Sequence, residues 1–128
     1  MSNMKVPTRI YLHKISKKLV LEYADKQFEL SGEFLRIHSP SAEVRGHGRG
    51  QEVLQYGKQN IGIEQIEPVG NYALKFKFRD GHDTGIYTWD YLFDLGINRE
   101  KYWGEYLQKL HNAGKCRDSD VSVVNIQL

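Results

Sequence analysis

The chain has 128 residues, enough for one domain with a single hydrophobic core, and 18 Lys and Arg against 16 Asp and Glu leave a net charge of +2. This near balance gives no general support for nucleic-acid binding, so we expect no nucleic-acid partner. The single cysteine, Cys116, excludes an intramolecular disulfide and an all-cysteine metal site. Since no run of about 18 apolar residues is present, we also expect no membrane partner and a soluble, cytoplasmic protein.

Three short runs of β-forming residues open the chain and predict an antiparallel meander. These runs cover residues 10–12, 18–23 and 27–30. Residues 24–26 form a loop of the length that joins two strands of a hairpin. Ser31 is placed to cap a short helix over residues 33–36, because its hydroxyl can accept a hydrogen bond from a free backbone amide, and Pro40 is placed to stop it.

A second hairpin and a short strand are predicted in the middle of the chain. Residues 59–67 and 72–78 alternate between apolar and polar side chains, with lysines on the outer face of the second run. The segment 68–71 contains Pro, Gly and Asn and predicts the turn between them. A further turn at Asp80 leads into a short predicted strand at residues 84–87.

Two helices are predicted after the short strand. Residues 89–95 have helical spacing and end before Gly96, a residue type that often follows a helix. Residues 99–113 carry apolar side chains at helical intervals, with Asn98 as the predicted cap and Gly114 as the predicted stop. We expect these helices to pack on one face of the sheet.

The predicted fold class is therefore α+β, a small antiparallel sheet of hairpins with two or three helices in a single domain. The domain is expected to span residues 1–118. Residues 119–128 form a C-terminal tail that begins polar and ends with alternating apolar residues. Two alternatives stay open for this tail, an added edge strand or a flexible end.

A glycine-rich segment at residues 39–51 is the first candidate binding site, because it carries Arg45, His47 and Arg49 among glycines. Backbone amides and two guanidiniums at such a place are suited to a phosphate, a carboxylate or an acidic partner surface. The alternative is a solvated loop whose glycines merely permit positive φ. A nucleotide-hydrolysing P-loop is not indicated, since no Lys followed by Ser or Thr ends the segment.

A second candidate site lies at residues 80–91, which contain His82, Asp83 and Trp89. An imidazole nitrogen next to a carboxylate provides the ligand types that iron and zinc accept. The alternative is a turn histidine that only hydrogen-bonds a neighbour. Trp89 is a candidate contact residue, although the helical spacing of the aromatic residues around it also favours core packing.

The runs LRIHSPSAEV (residues 35–44) and GHDTGIYTW (residues 81–89), together with EPVGNY (residues 67–72), resemble the gamma-butyrobetaine hydroxylase-like amino-terminal domain. This family includes small stand-alone bacterial proteins of unassigned function, and the resemblance covers residues 7–118. In the hydroxylases the domain is similar to a zinc module with three cysteines and one distant histidine. The matching positions here are Ser39, Ser41, Val44 and His82. Since hydroxyls and a valine do not replace thiolates as zinc ligands, the resemblance implies no structural zinc site.

The resemblance also implies a class of function. It does not cover the oxygenase barrel with its iron site, so it implies no hydroxylase activity. The same domain occurs joined to nucleotide-dependent iron–sulfur carrier proteins, which implies an accessory role in iron or iron–sulfur handling.

We therefore expect a non-catalytic accessory or interaction module that binds a protein partner, for which the resemblance suggests an iron–sulfur assembly component. The expected binding residues are Ser39, Ser41, Arg45, His47, Arg49, Asp83 and Trp89. The alternative is a metal-binding protein in which His82 holds iron or zinc.

Overall fold

The computed structural model describes residues 5–46 and 50–121. In these residues six strands form two three-stranded antiparallel sheets, and four helices accompany them. The strands are β1 (Arg9–His13), β2 (Lys18–Glu22), β3 (Gln27–Ser31), β4 (Ile63–Val69), β5 (Ala73–Phe78) and β6 (Ile86–Thr88). The helices are α1 (Gly32–Ile37), α2 (Ala42–Arg45), α3 (Trp89–Ile97) and α4 (Arg99–Ala113). The predicted α+β class is confirmed, with the strands divided between two sheets.

The first sheet is the predicted meander, in the order β1-β2-β3. Its central strand buries Leu19 and Leu21 completely, and Leu30 on β3 is also completely buried. The meander leads directly into α1, where the Ser31 hydroxyl accepts a hydrogen bond from the Phe34 amide at 3.0 Å. The predicted cap is thus confirmed, and it fixes where α1 begins.

The second sheet has the order β4-β5-β6 and contributes three large aromatic side chains to the core. Phe76, Phe78 and Tyr87 are essentially fully buried, and the Phe76 and Tyr87 rings meet edge to face with centroids 4.8 Å apart. The predicted start of the turn at Pro68 is wrong, because β4 continues through Pro68 to Val69. A proline is tolerated there because β4 is an edge strand, which does not need every amide for pairing.

Three helix predictions need correction. Residues Ala42–Arg45 form the short helix α2, although the sequence predicted an irregular loop. Helix α3 continues through Gly96 to Ile97. Gly96 is a packing residue and not a helix stop, because a Cβ there would be only 2.3 Å from a carbon of the Phe28 ring. Asn98 does not cap α4 with its side chain, which instead donates to the Asp94 carboxylate at 2.7 Å. Gly114 does end α4, in the left-handed conformation with φ 65°.

One main hydrophobic cluster joins both sheets to α1 and α3, and a smaller cluster of Ile37, Tyr106 and Leu110 joins α1 to α4. These contacts bring the α1–α2 corner close to both α4 and the turn after β5. In the described residues no helix is long and apolar enough to cross a membrane. The open question about the tail falls largely on residues 122–128, which lie outside the described residues.

Candidate functional site

Ser39, Ser41 and His82 meet in a buried polar cluster, which we call the His82 cluster. The Ser39 hydroxyl is 2.8 Å from His82 Nε2, and the Ser41 hydroxyl is 3.4 Å from the same atom. All three residues are buried, with exposed fractions of 1%, 6% and 8% respectively. Gly85 makes room for this packing, since a Cβ there would be 2.3 Å from the Ser39 hydroxyl oxygen.

The fourth member of the His82 cluster is Glu43 on α2, whose Oε2 is 3.2 Å from His82 Nδ1. An ionised carboxylate can only accept, so Nδ1 of a neutral His82 carries the hydrogen and Nε2 accepts from the Ser39 hydroxyl. Burial and the charge of Arg36 lower the pKa of His82, while Glu43 and Asp80 act in the opposite direction. The neutral, hydrogen-bonded imidazole is therefore the form that this cluster holds at neutral pH.

Asp80 connects the His82 turn to α1. Its Oδ1 accepts from the His82 amide at 3.1 Å, and its Oδ2 accepts from Arg36 Nε at 3.0 Å and from Lys58 Nζ at 2.8 Å. Burial by itself would raise the pKa of Asp80, but these donors and the Arg36 charge outweigh it and lower the pKa to about 2. Asp80 therefore ties the His82 turn to α1, whereas Asp83, the carboxylate that the sequence analysis placed beside the imidazole, is exposed.

The arrangement can be compared with what a metal site requires. Within residues 5–46 and 50–121, no group of three or more His, Cys, Asp or Glu side chains is placed to hold a metal ion. Both ring nitrogens of His82 already have hydrogen-bond partners, Ser39 and Glu43. Three of the positions that match the zinc ligands of the hydroxylases, Ser39, Ser41 and His82, thus lie together in this chain. Here hydrogen bonds join them.

An open groove lies next to the His82 cluster, between the α1–α2 corner and α4. Its volume is about 310 Å³, within the range of small-molecule sites. We call it the α4 groove. Its lining includes Ser39, Val44 and Arg45 from the α1–α2 corner, Tyr91 of α3 and residues of α4. The remaining lining residues are Ile37, His38, Glu52, Val53, Leu54, Gln55, Tyr102, Glu105, Tyr106 and Lys109.

Arg45 is the exposed cation of the groove wall that the sequence analysis identified. Its guanidinium lies 4.9 Å from the centroid of the Tyr91 ring, a distance at which a cation is attracted by the ring face. Tyr91 is itself fixed, since its hydroxyl donates to the His38 carbonyl at 2.5 Å. The guanidinium therefore has a defined place beside the groove.

The predicted site residues separate into distinct environments. Arg45 lines the α4 groove, Ser41 and His82 belong to the buried cluster, and Ser39 is a member of both. Trp89 lies in the core, 8% exposed, and its indole nitrogen donates to the Asn71 carbonyl at 2.8 Å. The predicted binding residues His47 and Arg49 lie outside the described residues.

Sequence reasoning missed Glu43 and the contribution of α4 to the groove. Glu43 lies two positions after Ser41, in the first turn of α2. A prediction of this short helix would have placed Glu43 near the serines. For Tyr102, Glu105 and Lys109 the helical spacing indicated only an amphipathic helix. Nothing in that spacing says which other segment the helix packs against.

Comparisons with known proteins agree with the fold. The family model described as "Gamma-butyrobetaine hydroxylase-like, N-terminal" matches residues 10–93. An NMR solution structure with 53% identity and a TM-score of 0.83 matches 98% of this chain and 100% of its own. A second NMR structure has 42% identity and a TM-score of 0.78, covering 100% of this chain and 97% of its own.

A crystal structure extends this comparison. It is that of a protein of unknown function from Acidithiobacillus ferrooxidans, which belongs to the DUF971 family. The identity is 32% and the TM-score 0.61, over 75% of this chain and 98% of that one. No curated protein matches this chain.

Proposed function

This chain belongs to the gamma-butyrobetaine hydroxylase-like amino-terminal family, and we propose that it acts as a non-catalytic interaction module that binds a protein partner in the α4 groove. The observation that carries the proposal is the groove itself. It is concave, has a volume of about 310 Å³ and brings together Arg45, the α4 side chains and an exposed apolar residue, Val53. Clefts of this kind, with apolar walls and a few fixed polar groups, are where proteins bind ligands.

The chemistry of the neighbouring cluster favours a binding role over catalysis. Ser39 contacts the His82 imidazole, but it is only 1% exposed, so a substrate has no open approach to its hydroxyl. A nucleophile must come within about 3 Å of the reacting carbon, which requires open space beside it. We assign the His82 cluster the task of holding α2, and with it Arg45, in position at the groove.

The family resemblance leads us to propose an iron or iron–sulfur assembly protein as the partner class. The rival proposal is that the protein itself binds iron or zinc through His82. The two proposals predict different behaviour of one preparation. An interaction module keeps its partner after treatment with a chelator, whereas a metal protein loses metal and stability.

The test uses a photo-crosslinking amino acid placed at Val53, which is 52% exposed and lines the groove. The matched control carries it at Ile15, which is 98% exposed and lies in the turn between β1 and β2. We expect a specific crosslinked protein from cells at Val53 and none at Ile15, identified by mass spectrometry. Capture should survive a chelator and should be lost in the Arg45→Glu variant but not in Arg79→Glu, an exposed arginine outside the groove lining.

The same preparation also tests the rival proposal of iron or zinc binding through His82. Equal crosslinking at both positions, or crosslinking that Arg45→Glu leaves unchanged, would contradict the groove as the binding surface. Stoichiometric iron or zinc in the purified protein that disappears in His82→Ala would support the metal-binding alternative instead.

A further inference from the structure

The centre of the α4 groove presents hydrogen-bond acceptors. His38 Nδ1 is 2.9 Å from the Phe34 carbonyl oxygen, which can only accept, so Nδ1 carries the hydrogen and donates. The other ring nitrogen, Nε2, then has a free lone pair when the ring is neutral. Burial, aided by the charge of Lys109, lowers the pKa of His38 and favours that neutral form at pH 7.

The tyrosines of the groove also use their hydrogens elsewhere. Tyr91 donates to the His38 carbonyl, Tyr106 to the Gln55 carbonyl at 2.8 Å, and Tyr102 to the Asp94 carboxylate at 2.8 Å. The Tyr91 oxygen already has Arg45 as a donor, whereas the phenolic oxygens of Tyr102 and Tyr106 can only accept a hydrogen bond from a ligand. A donor on the ligand, such as a peptide N–H, complements these acceptors and His38 Nε2.

Two helices provide positive charge in the lining of the groove. The Arg45 guanidinium on α2 lies 4.9 Å from the centroid of the Tyr91 ring and hydrogen-bonds the Tyr91 hydroxyl, and because a guanidinium has five N–H donors, others remain for a carboxylate. Lys109 on α4 also lines the groove. Of the two acidic residues in the lining, Glu105 is one helical turn before Lys109, where it offsets part of that charge, and Glu52 already has an interaction of its own.

Apolar side chains complete the site. Val44, Val53 and Leu54 also line the groove. A volume of about 310 Å³ is at the small end of ligand sites, enough for the last few residues of a peptide and too small for a folded surface loop with many side chains.

We propose that the α4 groove binds the free carboxyl terminus of the partner protein. The terminal carboxylate contacts Arg45, the last peptide N–H donates to His38 Nε2, and the last side chain is apolar and packs on Val44 and Leu54. This inference rests on the proposed function and names the part of the partner that enters the groove. A carboxylate, one amide donor and an apolar side chain are the three features that the groove matches together.

The test begins with three small probes followed by ¹H–¹⁵N NMR of the full chain. N-acetyl-leucine carries all three features, N-acetyl-leucine amide lacks the carboxylate, and N-acetyl-N-methyl-leucine lacks the donor. We expect millimolar binding of the first, with shifts confined to groove residues. Removal of either feature should weaken binding at least about tenfold, because each leaves a charged or polar groove atom without its partner.

Matched variants assign the contacts. Arg45→Gln should weaken N-acetyl-leucine about tenfold and leave the amide probe unchanged, since the guanidinium contacts only the carboxylate. The exposed Arg79→Gln is the control. His38→Asn keeps a donor for the Phe34 carbonyl but removes the Nε2 acceptor. In this variant N-acetyl-leucine and N-acetyl-N-methyl-leucine should therefore bind with equal affinity.

A longer probe decides whether the ligand is a peptide terminus. Acetyl-Ala-Ala-Leu should bind more tightly than N-acetyl-leucine, and equal affinity would overturn the assignment to a protein terminus. Equal binding of the acid and amide probes, or shifts outside the groove, would overturn the carboxylate site altogether. If a partner is still crosslinked at Val53 but none of these probes binds in the groove, the proposed function stands and only this inference is overturned.

Discussion

The His82 cluster and the α4 groove share the α1–α2 corner, yet they treat polar groups in opposite ways. In the cluster, Ser39, Ser41 and His82 are buried and joined to each other by hydrogen bonds. In the groove, Arg45 is exposed, and half-buried His38 lines the wall with only its Nδ1 hydrogen-bonded within the chain. One short segment can thus contribute to stability on one side and to binding on the other, because polar groups with partners stabilise the fold whereas polar groups without partners are available to a ligand.

The largest effect is expected from converting the cluster into a metal site. The combined variant Ser39→Cys, Ser41→Cys and Val44→Cys, with His82 unchanged, provides three thiolates and one imidazole, a set typical of structural zinc. We expect stoichiometric Zn²⁺ or Co²⁺ binding with an apparent free energy of about 10 kcal/mol at pH 7. The absorption bands of Co²⁺ report it.

The control adds His82→Ala to this variant, which should lower the affinity for the metal ion and change the Co²⁺ spectrum. If the variant takes up no stoichiometric Co²⁺, the four positions do not converge as the family resemblance implies.

The next largest effect separates structure from binding directly. His82→Ala leaves the Ser39 hydroxyl and the Glu43 carboxylate without their shared partner, so we expect the free energy of unfolding to fall by about 2–3 kcal/mol. Arg45→Ala, in the groove, should change it by less than about 0.5 kcal/mol. Denaturant unfolding of both variants tests the comparison, and a similar loss in each would contradict it.

A smaller loss is expected from Gly85→Ala. The added Cβ would be 2.3 Å from the Ser39 hydroxyl oxygen, so the chain must shift at a cost of about 1–3 kcal/mol. Gly104→Ala on α4 is the matched control, because no heavy atom lies within 4 Å of its Cβ position and alanine favours a helix. Thermal unfolding should show the first variant less stable and the control equal to or more stable than the parent. Equal melting temperatures for the two would refute close packing at Gly85.

The smallest effect is a pH dependence. The pKa values of His82 and His38 are lowered in the folded chain, so both groups contribute stability that is present above the unfolded value of 6.5 and is lost as the pH falls through the folded values. The pKa of Asp80 is about 2 in the folded chain and 3.8 in the unfolded chain. Asp80 therefore causes a second loss of stability as the pH falls from 3.8 to about 2. Unfolding free energies measured against pH should fall in both windows. His82→Gln should remove part of the first decrease and leave the second, and an unchanged first decrease would contradict the assignment.

Local sequence signals predicted the elements well where each depends on neighbouring residues. Ser31 caps α1 as expected, since a capping hydroxyl contacts an amide three positions away. The meander and the second hairpin also follow from alternation and short turns. Local signals failed at Gly96, where the requirement for glycine comes from the Phe28 ring on another element.

The candidate site shows the same limit more clearly. The sequence by itself indicated Ser39, Arg45 and His82 as unusual residues and, through the family resemblance, which positions correspond to a zinc site. The folded chain shows in addition that Ser39 and His82, 43 positions apart, are joined by a hydrogen bond, and that Arg45 and residues of α4 line the same groove. The physical reason is that residue type and spacing determine local conformation, whereas contacts between distant segments depend on how the whole core packs.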